Sequence, residues 1–160
     1  MNMMEKDDQE MTRRAFVGTA ALGSMAVSGL PGRLQTGAWT LQEKANVQVV
    51  NDFCAAWSSR DMAKPLSFLA SDSTYRMTET TPPVKGHAGV IDKLKTYVDA
   101  SNSVEFKVLE TFAKGPVVMN HRIDSFLSKA RPLIWEGVGV FLVQDGKIKE
   151  WSDYTISVKR

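Results

Sequence analysis

The stretch Leu133–Val158, LIWEGVGVFLVQDGKIKEWSDYTISV, decides the fold. At its centre stands Asp145-Gly146, a pair suited to a two-residue hairpin turn, where both residues take positive φ. The runs on either side, Leu133 to Val143 and Lys147 to Val158, are rich in β-branched and aromatic residues, so the stretch reads as two paired strands. Upstream, Gly115-Pro116 marks a turn before a strand from Val117 to Phe126, and a polar loop at Ser128 to Arg131 separates that strand from Leu133. Before it, Val104, Phe106 and Val108 alternate with Glu105 and Lys107 at strand spacing.

Ahead of these strands the period changes to that of helices. Val47, Val50, Phe53, Cys54 and Trp57 form an apolar stripe within Lys44 to Trp57, with Gln48, Asn51 and Asp52 off it. Asp61 is placed to cap a second, short helix that passes Pro65 and Phe68 and ends near Ser71. Thr74 to Met77 reads as a brief strand, and Thr81-Pro82-Pro83 as an extended loop. A third helix runs from about Gly86 to Val98 on Val90, Ile91, Leu94 and Val98. The pattern predicts an α+β fold: three N-terminal helices packed on one face of a curved, mostly antiparallel sheet that encloses a pocket.

The chain divides into an expected leader at 1–38 and a domain at 39–160. In the leader, Arg13-Arg14 is followed by Phe16 and by an uncharged run from Ala15 to Leu30 rich in Ala, Gly and Ser, with Arg33 just beyond. That run is too short and too weakly apolar for stable membrane insertion, and paired arginines ahead of it resemble a twin-arginine export signal. Export to the periplasm or beyond the cell is the expectation, the alternative being a tail with an accidental arginine pair. Thr36-Gly37-Ala38 and Ala26-Val27-Ser28 are the candidate cleavage points. A net charge of +2 and scattered Lys and Arg argue against nucleic acid as a partner. One cysteine, Cys54, and two histidines, His87 and His121, offer little for a metal, so the domain is expected to work without metal or cofactor. Cys54 reads as core, His121 as structural and His87 as surface.

The chemistry-bearing residues lie on two of the predicted strands. In Asn120-His121-Arg122-Ile123-Asp124, alternation points Arg122 and Asp124 to one face and Ile123 to the other. Two charges on the face of an otherwise apolar strand need a partner if buried. Asp153, in Trp151-Ser152-Asp153-Tyr154, is the best candidate to complete a carboxylate–guanidinium–carboxylate bridge. Two carboxyls at short range cannot ionise equally, so one serves as base and the other as acid. Trp135 and Phe141 share a strand face and, with Met77, are candidates to line the pocket.

Arg-x-Asp on one strand and Trp-x-Asp-Tyr on the last, after Asp145-Gly146-Lys147-Ile148, resemble the limonene-1,2-epoxide hydrolase family, and the layout is similar to NTF2-like and SnoaL-like cone folds. The likeness runs from about Ala45 to Ile156. It implies Asp153 as the base that activates water, Asp124 as the acid toward the epoxide oxygen, Arg122 as the bridge, and Tyr75 as a partner of the water. It also implies a homodimer and a small apolar epoxide as substrate. The family's water-holding asparagine is replaced by Met77, whose thioether is a weak acceptor and no donor; Asn120 is the first expected substitute and Thr78 the second. Two further readings remain open: an isomerase or cyclase in which one aspartate moves a proton, and a protein that binds a hydrophobic ligand without reaction.

Overall fold

The computed structural model describes residues 38–129 and 132–159; the expected leader, but for its last residue Ala38, lies outside the described residues. The first helix, α1 (Leu41–Ala56), starts three residues earlier than the apolar stripe suggests, because Thr40 and Glu43 form a capping box. The Glu43 backbone N–H donates to Thr40 Oγ1 at 3.1 Å, and Glu43 Oε2 accepts from the Thr40 backbone N–H at 2.8 Å. Two of the orphan donors at the helix start are thereby satisfied. The other Glu43 oxygen accepts from the Gly115 backbone N–H at 2.9 Å, fastening the helix to a distant turn.

After a 3₁₀ turn at Trp57–Ser59 comes α2 (Ala63–Leu66), a single turn of helix. Strand β1 (Leu69–Arg76) follows at once, then β2 (Val84–Lys85), and only then α3 (Gly86–Ala100). The expectation of three N-terminal helices is therefore corrected: one long helix and one turn precede the sheet, and α3 is inserted between strands. The reason is local and tertiary together. Ser67 bonds back to the Lys64 carbonyl at 2.7 Å and closes the turn, while the Ile148 N–H takes the Phe68 carbonyl at 2.9 Å and draws the chain into the sheet.

The remaining strands are β3 (Ser103–Lys114), β4 (Val117–Leu127), β5 (Leu133–Gln144) and β6 (Lys147–Lys159). They form one six-stranded sheet in the order β2-β1-β6-β5-β4-β3. All neighbours are antiparallel except β1 and β6, which run parallel. The β5–β6 turn uses Asp145 at φ 51° and Gly146 at φ 70°, the double positive φ that the sequence pair announced.

Helix α1 and the 3₁₀ turn that follows it pack on the inner face of the sheet through Phe53 and Trp57. Phe53 meets Trp151 edge-on at 4.9 Å between ring centroids, and Trp57 stacks on Phe106 at 5.0 Å. These aromatic contacts are the centre of the core. Among the described residues, no helix is long and apolar enough to cross a membrane.

Candidate active site

The inner face of β4 carries Val118, Asn120, Arg122, Asp124 and Phe126 in alternation, all buried. Arg122 has no exposed surface at all. Its Nε donates to both oxygens of Asp124, at 2.9 and 3.1 Å, and its Nη2 donates to Asp153 Oδ1 at 2.7 Å. Its Nη1 donates to Asn120 Oδ1 at 3.1 Å. Aromatic rings surround the guanidinium, with Trp135 at 5.1 Å and Phe106 at 5.4 Å from Cζ. A buried cation held by two carboxylates, an amide oxygen and ring faces satisfies the pairing that such burial requires.

Room for this cation comes from β5. Gly139 lies opposite both Asn120 and Asp153, and a Cβ there would overlap Arg122 Nη1. Gly137 lies opposite Thr155, and a Cβ there would overlap the Trp135 ring. Glycine inside a strand commonly marks such a close approach. Gly137-Val138-Gly139 in the sequence was the available signal.

Asp153 has the larger set of protein donors. Besides Arg122, Trp151 Nε1 donates to its Oδ1 at 2.7 Å, and the nearby Tyr75 hydroxyl favours its ionised form. Tyr75 is itself buried and stacks on Trp151 at 3.9 Å. Burial raises the pKa of Asp153, and Arg122, Trp151 and Tyr75 oppose that rise. Burial also raises Asp124, to about 7, against the attraction of Arg122 and with the help of the negative charge on Asp153. Donor hydrogen bonds favour the ionised form, so the charge resides on Asp153 and the proton on Asp124. The two carboxylates together outweigh the burial that disfavours charge on Arg122, which stays protonated.

Both carboxyls face a partly open cavity of about 140 Å³. Its walls are mostly apolar: Leu94 and Tyr97 from α3, Phe106, Phe126, Leu133 and Trp135 from the sheet. Tyr75, Met77 and Trp135 line it. Asn120 does not. Its oxygen is taken by Arg122 and its amide points to Cys54 Sγ at 3.5 Å, so it braces the guanidinium from behind rather than holding water in the cavity. Phe141 is likewise fully buried core rather than wall. Thr78 lines the cavity, its hydroxyl 3.3 Å from that of Thr80.

Thr155 and Val158 are among the wall residues that the sequence reading did not name. Thr155 lies two residues beyond Asp153 on the same face, and Trp135 Nε1 donates to its Oγ1 at 3.1 Å. Val158 also lines the cavity, although simple alternation from Asp153 would turn it outward. A bulge lets Gly137 pair with Thr155 but Glu136 with Ser157, and the extra residue, Ile156, shifts the phase. Trp151, the second donor to Asp153, follows from its place two residues earlier on the same strand face.

Cys54 is buried, and burial pushes its thiol up to about 12, which suits core rather than a nucleophile. His121 faces away from Arg122 and meets Glu136 Oε1 at 3.0 Å. His87 is half-buried, its Nε2 3.3 Å from the Leu69 carbonyl. Among the described residues, no cluster of His, Cys, Asp and Glu has the arrangement of a metal site.

The fold and site define a class: an NTF2-like α+β cone with a carboxylate–guanidinium–carboxylate cluster at the base of an apolar cavity. Solved structures share the fold. A structure described as an M. tuberculosis LEH-like epoxide hydrolase aligns with a TM-score of 0.62 at 23% identity, covering 71% of this chain and 84% of that one. A protein from Jannaschia sp. CCS1, provisionally assigned as a SnoaL-like polyketide cyclase, aligns with a TM-score of 0.64 at 14% identity, covering 74% and 90%. A hypothetical protein with a ketosteroid isomerase-like fold from Catenulispora acidiphila DSM 44928 gives 0.58 at 19%, covering 67% and 84%. No curated protein sequence matches. The model of the limonene-1,2-epoxide hydrolase catalytic domain matches residues 44–157, and the chain belongs to that family.

Proposed function

We propose that the protein is an epoxide hydrolase that adds water to a small apolar epoxide without a covalent intermediate. One observation carries this reading: fully buried Arg122 joins Asp124 and Asp153, and both carboxyls face the apolar cavity. Asp153 takes a proton from a water molecule as its oxygen bonds to one epoxide carbon. The carbon–oxygen bond at that carbon breaks, and the epoxide oxygen takes the proton of Asp124. The product is a vicinal diol, and the proton returns from Asp153 to Asp124 before the next turnover. Each proton transfer contributes on the order of 10²–10⁴ in rate. Arg122 holds the pair at fixed separation and balances one negative charge, which leaves the second carboxyl protonated.

Diol formation from a panel of small apolar epoxides, by the domain and by Asp153→Asn, tests the reading. Turnover by the parent that falls by at least about 10² in the variant supports it. Absence of turnover by a folded parent overturns it. Met77 in the same cavity wall as Asp153 favours a second reading, proton transfer within a bound substrate, since a thioether holds water poorly. Deuterium exchange into a ketone ligand, with no epoxide turnover, would support that alternative.

Export through the leader and a homodimer remain proposals of the same reading. Exposed Phe112, Met119 and Tyr154 on the outer side of the sheet suit such a dimer. Size-exclusion chromatography with light scattering tests it.

A further inference from the structure

We propose that Thr155 is a specificity-determining residue, accepting a hydrogen bond from a hydroxyl group on the substrate, so that the preferred substrates are epoxy alcohols rather than bare hydrocarbon epoxides. The inference rests on the hydrolase reading and names a substrate class for it.

The argument is one of donor and acceptor capacity. A threonine hydroxyl has one hydrogen and two lone pairs. Trp135 Nε1, which can only donate, fills one lone pair of Thr155 Oγ1 at 3.1 Å. The Glu79 carboxylate beside it draws that hydrogen, and the Thr155 hydroxyl in turn helps hold the Glu79 pKa below its ordinary value. The Thr155 backbone N–H donates to the same carboxylate, to Oε2 at 3.3 Å. One lone pair is left on an oxygen that lines the cavity. Thr155 is thus held from two sides as an acceptor, in a wall otherwise formed largely by aromatic and aliphatic side chains. The group it recognises must be a donor, and on a small neutral substrate that is a hydroxyl.

Position narrows the class further. Thr155 follows Asp153 by two residues on β6, about 7 Å along the strand. A hydroxyl four or five bonds from the epoxide carbon spans that separation. The terminal hydroxyl of 5,6-epoxyhexan-1-ol is an example; 1,2-epoxyhexane is the matched compound without it.

Two measurements on the domain and on Thr155→Val and Thr155→Ser test the proposal. Tryptophan fluorescence titration compares hexane-1,2,6-triol with hexane-1,2-diol and needs no turnover. The parent is expected to prefer the triol about five- to tenfold, the size of one neutral hydrogen bond. Thr155→Val abolishes that preference, and Thr155→Ser keeps it. The ratio of kcat/KM for the two epoxides follows the same pattern. A purely structural role for Thr155, as the acceptor for Trp135, would lower stability in Thr155→Val and leave the ratio unmoved. No preference in the parent, or a preference that survives in Thr155→Val, overturns the proposal, as does failure of the parent to bind either ligand. Triol preference without epoxide turnover keeps the site and removes the hydrolase reading; turnover without preference does the reverse.

Discussion

Gly139→Ala is the substitution from which the structure predicts most. The added methyl group would overlap Arg122 Nη1 and lie 2.8 Å from Phe141 Cε2 and 2.9 Å from Asn120 Oδ1. Ordinary contact begins near 3.4 Å, so the guanidinium must withdraw by at least about 1 Å. The far end of a free arginine would do this at little cost. Here it is fully buried and bonded to Asp124, Asp153 and Asn120. A shift of about 1 Å takes the 2.7 Å bond to Asp153 beyond hydrogen-bonding range and leaves a buried carboxylate unpaired. Breaking one arm of a buried ion pair costs about 3–5 kcal/mol. In a domain of this size the lower figure corresponds to a fall in Tm of roughly 10 °C. Circular dichroism melts of parent and variant measure this directly, and epoxide turnover is expected to fall with the bridge. A variant that melts with the parent and turns over at the parent rate would refute the reasoning, since the methyl would then have been absorbed without moving Arg122.

Two further outcomes follow from the same geometry. Because burial raises Asp124 to about 7, the folded chain holds a proton that the unfolded chain releases near 3.8. The stability from that proton is full below pH 4 and is lost as pH rises through about 7, with a slope of at most about 1.4 kcal/mol for each pH step of one. Urea titrations across this window should show a decline in the parent that is smaller in Asp124→Asn, where only the raised pKa of Asp153 remains, and turnover should fall above about pH 7 as the acid loses its proton. Tyr75→Phe keeps the ring stacked on Trp151 but removes the hydroxyl that favours the ionised form of Asp153. Steady-state kinetics should show kcat down about tenfold with a melting temperature close to the parent's, since one hydrogen bond is worth about 1 kcal/mol.

The amino-acid sequence by itself determined the strand meander and the face on which the charges stand. Asp145-Gly146 permits one kind of turn, and alternation along Asn120–Asp124 forces Arg122 and Asp124 to the same side whatever lies beyond them. These are properties of neighbouring residues, set by φ and by the two-residue period of the strand. Helix α1 was legible for the same reason, although its start was hidden in the Thr40–Glu43 box rather than in the apolar stripe.

The tertiary structure alone decided where the donors and acceptors meet. Nothing local tells Leu69 to leave the helical path and lie parallel to β6, because that pairing depends on a strand some eighty residues away. Asn120 has the chemistry to hold water, yet Arg122 and Cys54 consume it once the sheet closes over α1. One extra residue at Ile156 changes the phase of β6 and turns Val158 inward, which periodicity cannot foresee. The glycines of β5 become necessary only when a guanidinium and an indole are brought against them. A side chain's type and face are written in the chain, but its partners are competed for across the fold, and hydrogen-bonding capacity is finite.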